Sequence, residues 1–175
     1  MSIKNIKPSS QSGYRQGYYK PKRPEKYIGD PENIIFRSSW EYRFCKYCDD
    51  NEVVVKWSSE PTAIKYTSPL DNQEHNYYVD FFLQIKRGEK EIGYLVEIKP
   101  EASLEKPLME SGSQTMKRLK NYNYAMRTWI VNRAKFYAAK KFAESNGYRF
   151  VIVTEKFLFE NDKSNVRQRR VYKRQ

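Results

Sequence analysis

The 175-residue sequence is poor in the residues that several classes of protein depend on. It has no apolar run of about 20 residues, the length that a membrane-spanning helix requires, and its first residues lack the apolar stretch of a secretory signal. With one histidine and two cysteines it is short of the four such ligands that a structural zinc site uses. These shortages argue against a membrane protein, a zinc domain and a histidine-metal nuclease, and they indicate a cytosolic protein.

Positive charge is abundant and is concentrated at the two ends of the chain. Residues 1–26 carry a net charge of +6 and residues 161–175 carry +5, so +11 of the total of +12 lies there. Basic ends on a near-neutral body indicate a polyanionic partner, and the absence of a lipid anchor favours nucleic acid over lipid. Solubility alone is the alternative explanation. The candidate DNA contacts in these ends are Lys20, Lys22, Arg23, Arg169 and Arg170.

The sequence divides into three parts. Residues 1–34 are rich in Lys, Pro, Ser, Gly and Tyr without any period, which predicts an extended basic arm. Its tyrosines could stack on DNA bases or sugars, or could equally pin the arm to the domain surface. Residues 35–160 have the apolar patterns of one folded domain. Residues 161–175 form a basic C-terminal tail. The domain is therefore predicted to be the only part with a hydrophobic core.

Apolar periodicity within the domain predicts an α/β fold with a mixed sheet. Ser38 and Ser39 can cap a helix that runs to about Asp50, and its two cysteines, Cys45 and Cys48, are interpreted as small residues of a helix face. Two further helices are predicted at about 114–126 and 128–146. The predicted strands are at about 53–57, 63–66, 76–86, 93–99 and 148–153.

One strand carries an unusual pair of charges. Side chains alternate across a strand, so Leu95, Glu97 and Lys99 share one face of an otherwise apolar segment. A buried charge requires a partner or a metal ion. Asp80 lies on the preceding strand, which a turn at residues 87–89 pairs with this one, so the three charged groups can converge. Exposed salt-bridged strand faces produce the same pattern, and spacing alone leaves both interpretations open.

The chemistry that such a set supports is metal-assisted phosphodiester hydrolysis. Mg²⁺ prefers carboxylate oxygens, water and substrate phosphate as ligands, and Asp80 and Glu97 can hold it. Lys99 can orient the attacking water or stabilise developing charge, or act as a base if its pKa is lowered. Glu41, in the first turn of the first helix, can hold a second ion, bind through water, or simply complement the helix dipole.

Three short segments carry a resemblance to a known superfamily. Residues 37–41 (RSSWE), 79–81 (VDF) and 97–100 (EIKP) together resemble the PD-(D/E)xK nucleases, with Val79 where proline is usual. Within that superfamily the chain is similar to the endonuclease subunit of heteromeric cut-and-paste transposases. It is closer to the head-completion nucleases of large contractile-tailed bacteriophages. The resemblance covers about residues 27–160, and Lys135 and Glu155 match positions that it singles out.

The resemblance implies both a fold and a task. It implies a restriction-endonuclease-like mixed sheet flanked by helices, and a Mg²⁺-dependent endonuclease, with Mn²⁺ as a substitute, whose catalytic residues are Glu41, Asp80, Glu97 and Lys99. Lys135 would contact a phosphate near the scissile bond, and a solvated helix lysine is the equal alternative. The implied enzyme trims packaged double-stranded DNA ends so that the neck and tail can join. Its implied partners are the portal, the neck or other head-completion proteins.

The implied task also implies a location, and two other functions remain as alternatives. The protein would act in the host cytoplasm during assembly, or in the virion. One alternative is a catalytically silent DNA-binding head or neck protein with the same fold. Another is a transposase-type or restriction-type endonuclease. The sequence gives no indication of the oligomeric state.

Overall fold

The structure, a computed structural model, describes residues 16–109 and 115–160. In this part of the chain, eight strands and three helices follow one another in a single α/β arrangement. No helix within these residues is both long enough and apolar enough to cross a bilayer. The strands are β1 Gly17–Tyr19, β2 Ile34–Phe36, β3 Val54–Ser59, β4 Ala63–Thr67, β5 Glu74–Tyr78, β6 Phe81–Arg87, β7 Lys90–Ile98 and β8 Arg149–Val153, and the helices are α1 Ser39–Asp50, α2 Met116–Ser145 and α3 Glu155–Glu160.

The main sheet is mixed, as the sequence predicts. Its strand order is β3-β6-β7-β8, with antiparallel pairing up to β7 and a parallel pairing between β7 and β8. Phe44 of α1 packs in one core cluster with Val96, whereas Ala139 of α2 packs in a second cluster with Leu95. Since Leu95 and Val96 point to opposite faces of β7, the two helices cover opposite faces of the sheet. The predicted fold class is confirmed.

Three predicted elements, one strand and two helices, differ from the structure. The strand predicted at 76–86 is two strands, because β5 pairs with β4 in a separate two-stranded sheet while β6 joins the main sheet. The helices predicted at 114–126 and 128–146 are one helix, α2. No glycine or proline interrupts residues 116–145, and weak helix formers alone do not end a helix that packs against a sheet.

Residues 16–34 of the arm predicted over residues 1–34 dock on the domain, as in the interpretation that its tyrosines pin it to the domain surface. Strand β1 pairs with β2, and the buried carboxylate of Asp49 in α1 holds the segment against the domain. Asp49 accepts hydrogen bonds from the Tyr19 hydroxyl at 3.0 Å and from the backbone N–H groups of Lys22 at 2.7 Å and Arg23 at 2.9 Å. The apolar residues of this segment that pack into the core, Tyr19 and Ile34, follow no helix or strand period in the sequence. Residues 1–15 of the predicted arm lie outside the described residues.

Lys26 fixes the far end of α1. Its buried ammonium donates hydrogen bonds to the backbone carbonyls of Cys48 at 2.8 Å, Asp49 at 2.9 Å and Asn51 at 2.8 Å. Carbonyls at a helix C-terminus have no partner within the helix, and a cation there also complements the helix dipole. The docked segment therefore holds α1 in place, and with it the first turn that carries Glu41.

Candidate metal centre

Asp80 lies in the gap between β5 and β6, at the edge of the main sheet. The antiparallel pairing of Phe81 with Val96 places Asp80 across from Glu97 of β7. Its carboxylate Oδ2 accepts a hydrogen bond from the backbone N–H of Ile98 at 2.7 Å. This bond fixes the Asp80 side chain beside β7, at the level of Glu97.

Glu97 is buried and has a partner for each of its oxygens. Its side chain is only 4% exposed, and Oε1 forms an ion pair with the Lys99 ammonium at 2.7 Å. Oε2 accepts a hydrogen bond from the Tyr77 hydroxyl at 2.6 Å. The Lys99 side chain is 28% exposed, so this charged cluster opens to solvent on the Lys99 side. The structure thus places Asp80, Glu97 and Lys99 together.

The protonation of the cluster reflects burial and like charge. Burial raises the pKa of Asp80 well above its usual value, and the neighbouring Glu97 carboxylate raises it further. For Lys99, burial alone lowers the pKa, but the Glu97 and Asp80 carboxylates outweigh burial and raise it. Lys99 is therefore held as the charged ammonium, which suits stabilisation of negative charge and opposes the role of a base.

Glu41 lies close to the cluster, but its oxygens are used locally. Oε2 accepts a hydrogen bond from the backbone N–H of Arg37 at 2.7 Å, and Oε1 accepts one from the Ser38 hydroxyl at 3.0 Å. The Ser38 hydroxyl in turn accepts from the Glu41 N–H at 3.1 Å, which caps α1. The charge of Glu41 raises the pKa of Asp80 and of Lys99, so it acts electrostatically on the cluster.

Lys135 of α2 lies close enough to the cluster to interact with the charges of Lys99, Glu97 and Asp80. Its ammonium lies 5.7 Å from the ring centre of Tyr66 and 5.6 Å from that of Tyr77. Burial lowers the pKa of Lys135, and the nearby Lys99 charge lowers it further. Two lysines on different elements therefore face the two carboxylates, although 36 residues of sequence separate them.

The donor set fits a hard divalent cation with a partly open coordination shell. Among the residues that the structure describes, no group of three His, Cys, Asp or Glu side chains is placed to hold one ion. Asp80 and Glu97 do provide two facing carboxylates whose mutual repulsion a cation relieves. Mg²⁺ commonly binds through one or two carboxylates plus water and substrate phosphate. The ligand role predicted for Glu41 remains a prediction.

The other predicted site residues lie elsewhere. Lys22 pairs with Asp50 at 3.0 Å, and the segment with Lys20, Lys22 and Arg23 docks at the C-terminal end of α1. That end is about 12 Å along the helix axis from Glu41 at its first turn. Arg169 and Arg170 lie outside the described residues. Glu155 begins α3, and its carboxylate accepts a hydrogen bond from the Glu101 N–H at 3.0 Å.

Sequence reasoning missed the residues that surround the cluster. Tyr77 gave no signal, because the break between β5 and β6 was not predicted. Arg37 and Glu60 form a two-point ion pair, with Arg37 Nε 2.8 Å from Glu60 Oε1. The Glu60 backbone has a positive φ of 43° and donates its N–H to the Asp80 carbonyl at 2.9 Å. Arg37 had a sequence signal as the first residue of the RSSWE segment, and Glu60 had one as the last residue of the segment SSE at 58–60, which also resembles the head-completion nucleases.

Comparisons with known proteins give one family match and one curated relative. The sequence profile of the family described as "TnsA-like endonuclease N terminal" matches residues 51–155, which include Asp80, Glu97, Lys99 and Lys135. A protein named "Head completion nuclease" from Enterobacteria phage T4 is 32% identical over 139 residues, covering 79% of this chain and 90% of that protein. No solved structure gives a significant match.

Proposed function

Because the chain belongs to the TnsA-like endonuclease N-terminal family, we propose that it hydrolyses phosphodiester bonds in double-stranded DNA with the help of Mg²⁺. The convergence of Asp80, Glu97 and Lys99 is the observation that carries this proposal. Mn²⁺ is the expected substitute. Both carboxylates and the lysine come from the hairpin β6–β7 or its immediate edge, so a rigid element positions them.

Asp80 and Glu97 are the residues that would hold the ion. When bound, a divalent cation activates water and neutralises charge on the phosphate being cleaved. The Ile98 N–H and the Tyr77 hydroxyl hold the two carboxylates in orientation before any ligand arrives. Such outer hydrogen bonds commonly tune metal sites. Lys99, held as an ammonium, stabilises the negative charge that develops on the phosphate oxygens.

Cleavage of duplex DNA by the full chain tests this function. Linear and supercoiled DNA are incubated with the protein in Mg²⁺, in Mn²⁺ and in EDTA. Cleavage that requires the divalent ion is expected, and with supercoiled DNA the nicked or linear product shows an internal cut. Salt-dependent DNA binding without cleavage under any of these conditions would instead favour a catalytically silent DNA-binding protein.

We propose that the biological task is head completion in a phage. Its support is the 32% identity, over nearly the whole of the relative, with the head completion nuclease of phage T4. The proposed task is the trimming of packaged DNA ends, in the host cytoplasm during assembly or in the virion, beside the portal or neck. A rival is a head or neck protein with the same fold that does not cut.

A genetic complementation experiment separates these two roles. In phage T4 lacking its own head completion nuclease, plasmid-borne expression of this chain is expected to restore infectious particles, and Asp80→Asn is not. Rescue by both versions at equal protein level would support the non-cutting rival. Rescue by neither, with the wild-type chain cutting DNA in vitro, would argue that the chain serves another task or requires its own partners.

Lys135 is proposed to contact a phosphate beside the cut. Its half-buried ammonium faces the cluster and lies near the rings of Tyr66 and Tyr77. Within the described part of the chain, no carboxylate forms a hydrogen bond with it. We expect Lys135→Ala to lower affinity for duplex DNA several-fold. If one phosphate contact is lost, the slope of log K against log salt should become shallower by about 0.9.

Lys140→Ala is the matched control for this prediction. Lys140 lies on the same helix, but its side chain is 69% exposed and reaches Glu144 at 4.0 Å. Binding is measured by fluorescence anisotropy in EDTA at several salt concentrations, so that cleavage does not interfere. Identical slopes for Lys135→Ala and the wild type would contradict a phosphate contact.

A further inference from the structure

A cavity of about 600 Å³ opens beside the candidate metal centre. Its floor is apolar and partly aromatic, and strands β6 and β7, the end of α2 and the loop after α2 supply it. Its rim is polar and comes from the segment before β2 and from the loops that follow β2, β3 and α2. The floor residues are Phe82, Leu95, Phe142 and Tyr148, and the polar rim residues are Asp30, Asn33, Arg37, Glu60, Thr62 and Asn146.

The cavity adjoins the cluster through direct contacts. Two of its rim residues bond to residues of the candidate site: the Arg37 N–H donates to Glu41, and the Glu60 N–H donates to the Asp80 carbonyl. Phe82 follows Asp80 by two residues, and Leu95 precedes Glu97 by two residues. They therefore share the same sheet face at a distance of about 7 Å.

The chemistry of the cavity suits a nucleobase better than a phosphate. The rim carboxylates are Asp30, which accepts from the Glu32 N–H at 3.0 Å, and Glu60, which pairs with the Arg37 guanidinium. Each carboxylate oxygen keeps a second lone pair for a further donor, whereas the positive charge of Arg37 is already neutralised by Glu60. Carboxylates repel phosphate, but they accept hydrogen bonds from the amino groups on base edges. The aromatic rings of Phe82 and Tyr148, whose centres are 5.0 Å apart, offer the apolar surface that a base face requires.

We propose that this cavity receives one unpaired nucleobase of the DNA, next to the phosphodiester bond that the site cleaves. The inference rests on the proposed nuclease function and names its substrate class: DNA with a frayed or single-stranded nucleotide at the cut. A base inside a duplex is stacked and cannot enter a side pocket unless it is extruded. A base that is already unpaired avoids that cost, so such DNA binds more tightly.

The test uses 2-aminopurine, a fluorescent base, in duplexes of otherwise equal sequence. The probe base is placed either in a one-nucleotide overhang, at the 5′ or the 3′ end, or inside a blunt duplex. Binding is followed in EDTA by the fluorescence of the probe. For one of the two overhangs we expect a change in fluorescence and an affinity about 5- to 100-fold above that of the blunt duplex, the range expected for one stacked base.

Thr62→Trp fills the cavity, and Thr67→Trp is the control. Thr67 is an exposed residue of β4 outside the cavity lining. Thr62→Trp is expected to bind overhang and blunt DNA equally, whereas Thr67→Trp keeps the wild-type preference. Should Thr62→Trp fold poorly in a thermal melt, Phe142→Leu removes one aromatic wall and should weaken the preference several-fold. An undiminished preference in the folded cavity variants would overturn the proposal.

The outcome also separates this proposal from the nuclease function. Metal-dependent cleavage of blunt DNA with no preference for either overhang would overturn the base pocket and leave the nuclease intact. The protein could also prefer overhang DNA, lose that preference in Thr62→Trp, and yet cleave no DNA. This result would support base binding at the cavity and would contradict the nuclease function.

Discussion

Replacing Asp80 with asparagine is expected to reduce Mg²⁺-dependent DNA cleavage by about 1,000-fold or more. Loss of an outer hydrogen-bond partner of a metal ligand typically costs about 10- to 100-fold, and loss of a ligand should cost more. The side-chain oxygen of the introduced asparagine can still accept from the Ile98 N–H, which the Asp80 carboxylate does at 2.7 Å. The fold should therefore survive, and initial cleavage rates of supercoiled DNA measure the effect.

The same substitution should stabilise the metal-free protein. The pKa of Asp80 is raised by burial and by the Glu97 charge, so the ionised side chain destabilises the folded state. In EDTA near neutral pH, Asp80→Asn is expected to raise Tm by about 2–4 °C, the shift that about 1 kcal/mol produces in a domain of this size. Lower activity with higher stability is typical of a functional residue.

The pH dependence of this gain follows from the direction of the pKa shift. Since the folded-state pKa of Asp80 lies above its usual value of 3.8, the wild type loses stability relative to Asp80→Asn as pH rises from about 4 through the raised pKa. The gain in Tm should be small near pH 4 and larger at pH 8. Asp71→Asn is the control, because the pKa of the exposed Asp71 is lowered. A Tm gain that shrinks as pH rises would contradict the assignment.

Replacing Lys99 with methionine is the second large effect, and we expect cleavage to fall by about 100- to 1,000-fold, the cost of removing one group that stabilises transition-state charge. Methionine retains much of the aliphatic stem but lacks the ammonium that pairs with Glu97 at 2.7 Å. Removing a cation beside two carboxylates should leave the affinity for a divalent ion equal or higher. Lys99→Met is thus expected to separate ion binding from cleavage, which Asp80→Asn does not.

Lys156→Met is the matched control for Lys99→Met. Lys156 also forms a 2.6 Å ion pair with a glutamate, Glu101, but both side chains lie largely in solvent on or near α3. Cleavage by this variant should equal that of the wild type. Wild-type cleavage rates in Lys99→Met, measured under single-turnover conditions, would remove Lys99 from the mechanism.

Local patterns in the sequence were enough to place the strand that carries the site. Alternation along Leu95, Glu97 and Lys99 predicted one shared face, and the turn at residues 87–89 predicted the hairpin that brings Asp80 across from Glu97. Both features depend only on period and turn chemistry within about 20 residues. The structure agrees with them, and Gly88 in the turn has the positive φ of 62° that favours glycine.

Contacts between distant segments could not be predicted in the same way. Lys135 reaches the cluster because α2 packs against β4, β7 and β8, and contacts between such distant segments leave no local pattern in the sequence. Tyr77 reaches Glu97 because the chain leaves one small sheet and enters the main one at Asp80. The docking of residues 16–34 depends on Asp49, whose role as an acceptor for Tyr19 and two backbone N–H groups has no local signature.

A titration with Mn²⁺, followed by electron paramagnetic resonance in the absence of DNA, tests the central claim most directly. The wild-type chain is compared with Asp80→Asn and Glu97→Gln, and with Asp71→Asn as a surface control. We expect Mn²⁺ binding by the wild type and by Asp71→Asn, and a loss of about 10-fold or more in affinity in each of the other two. Equal Mn²⁺ affinity in all four proteins would contradict a metal centre at Asp80 and Glu97.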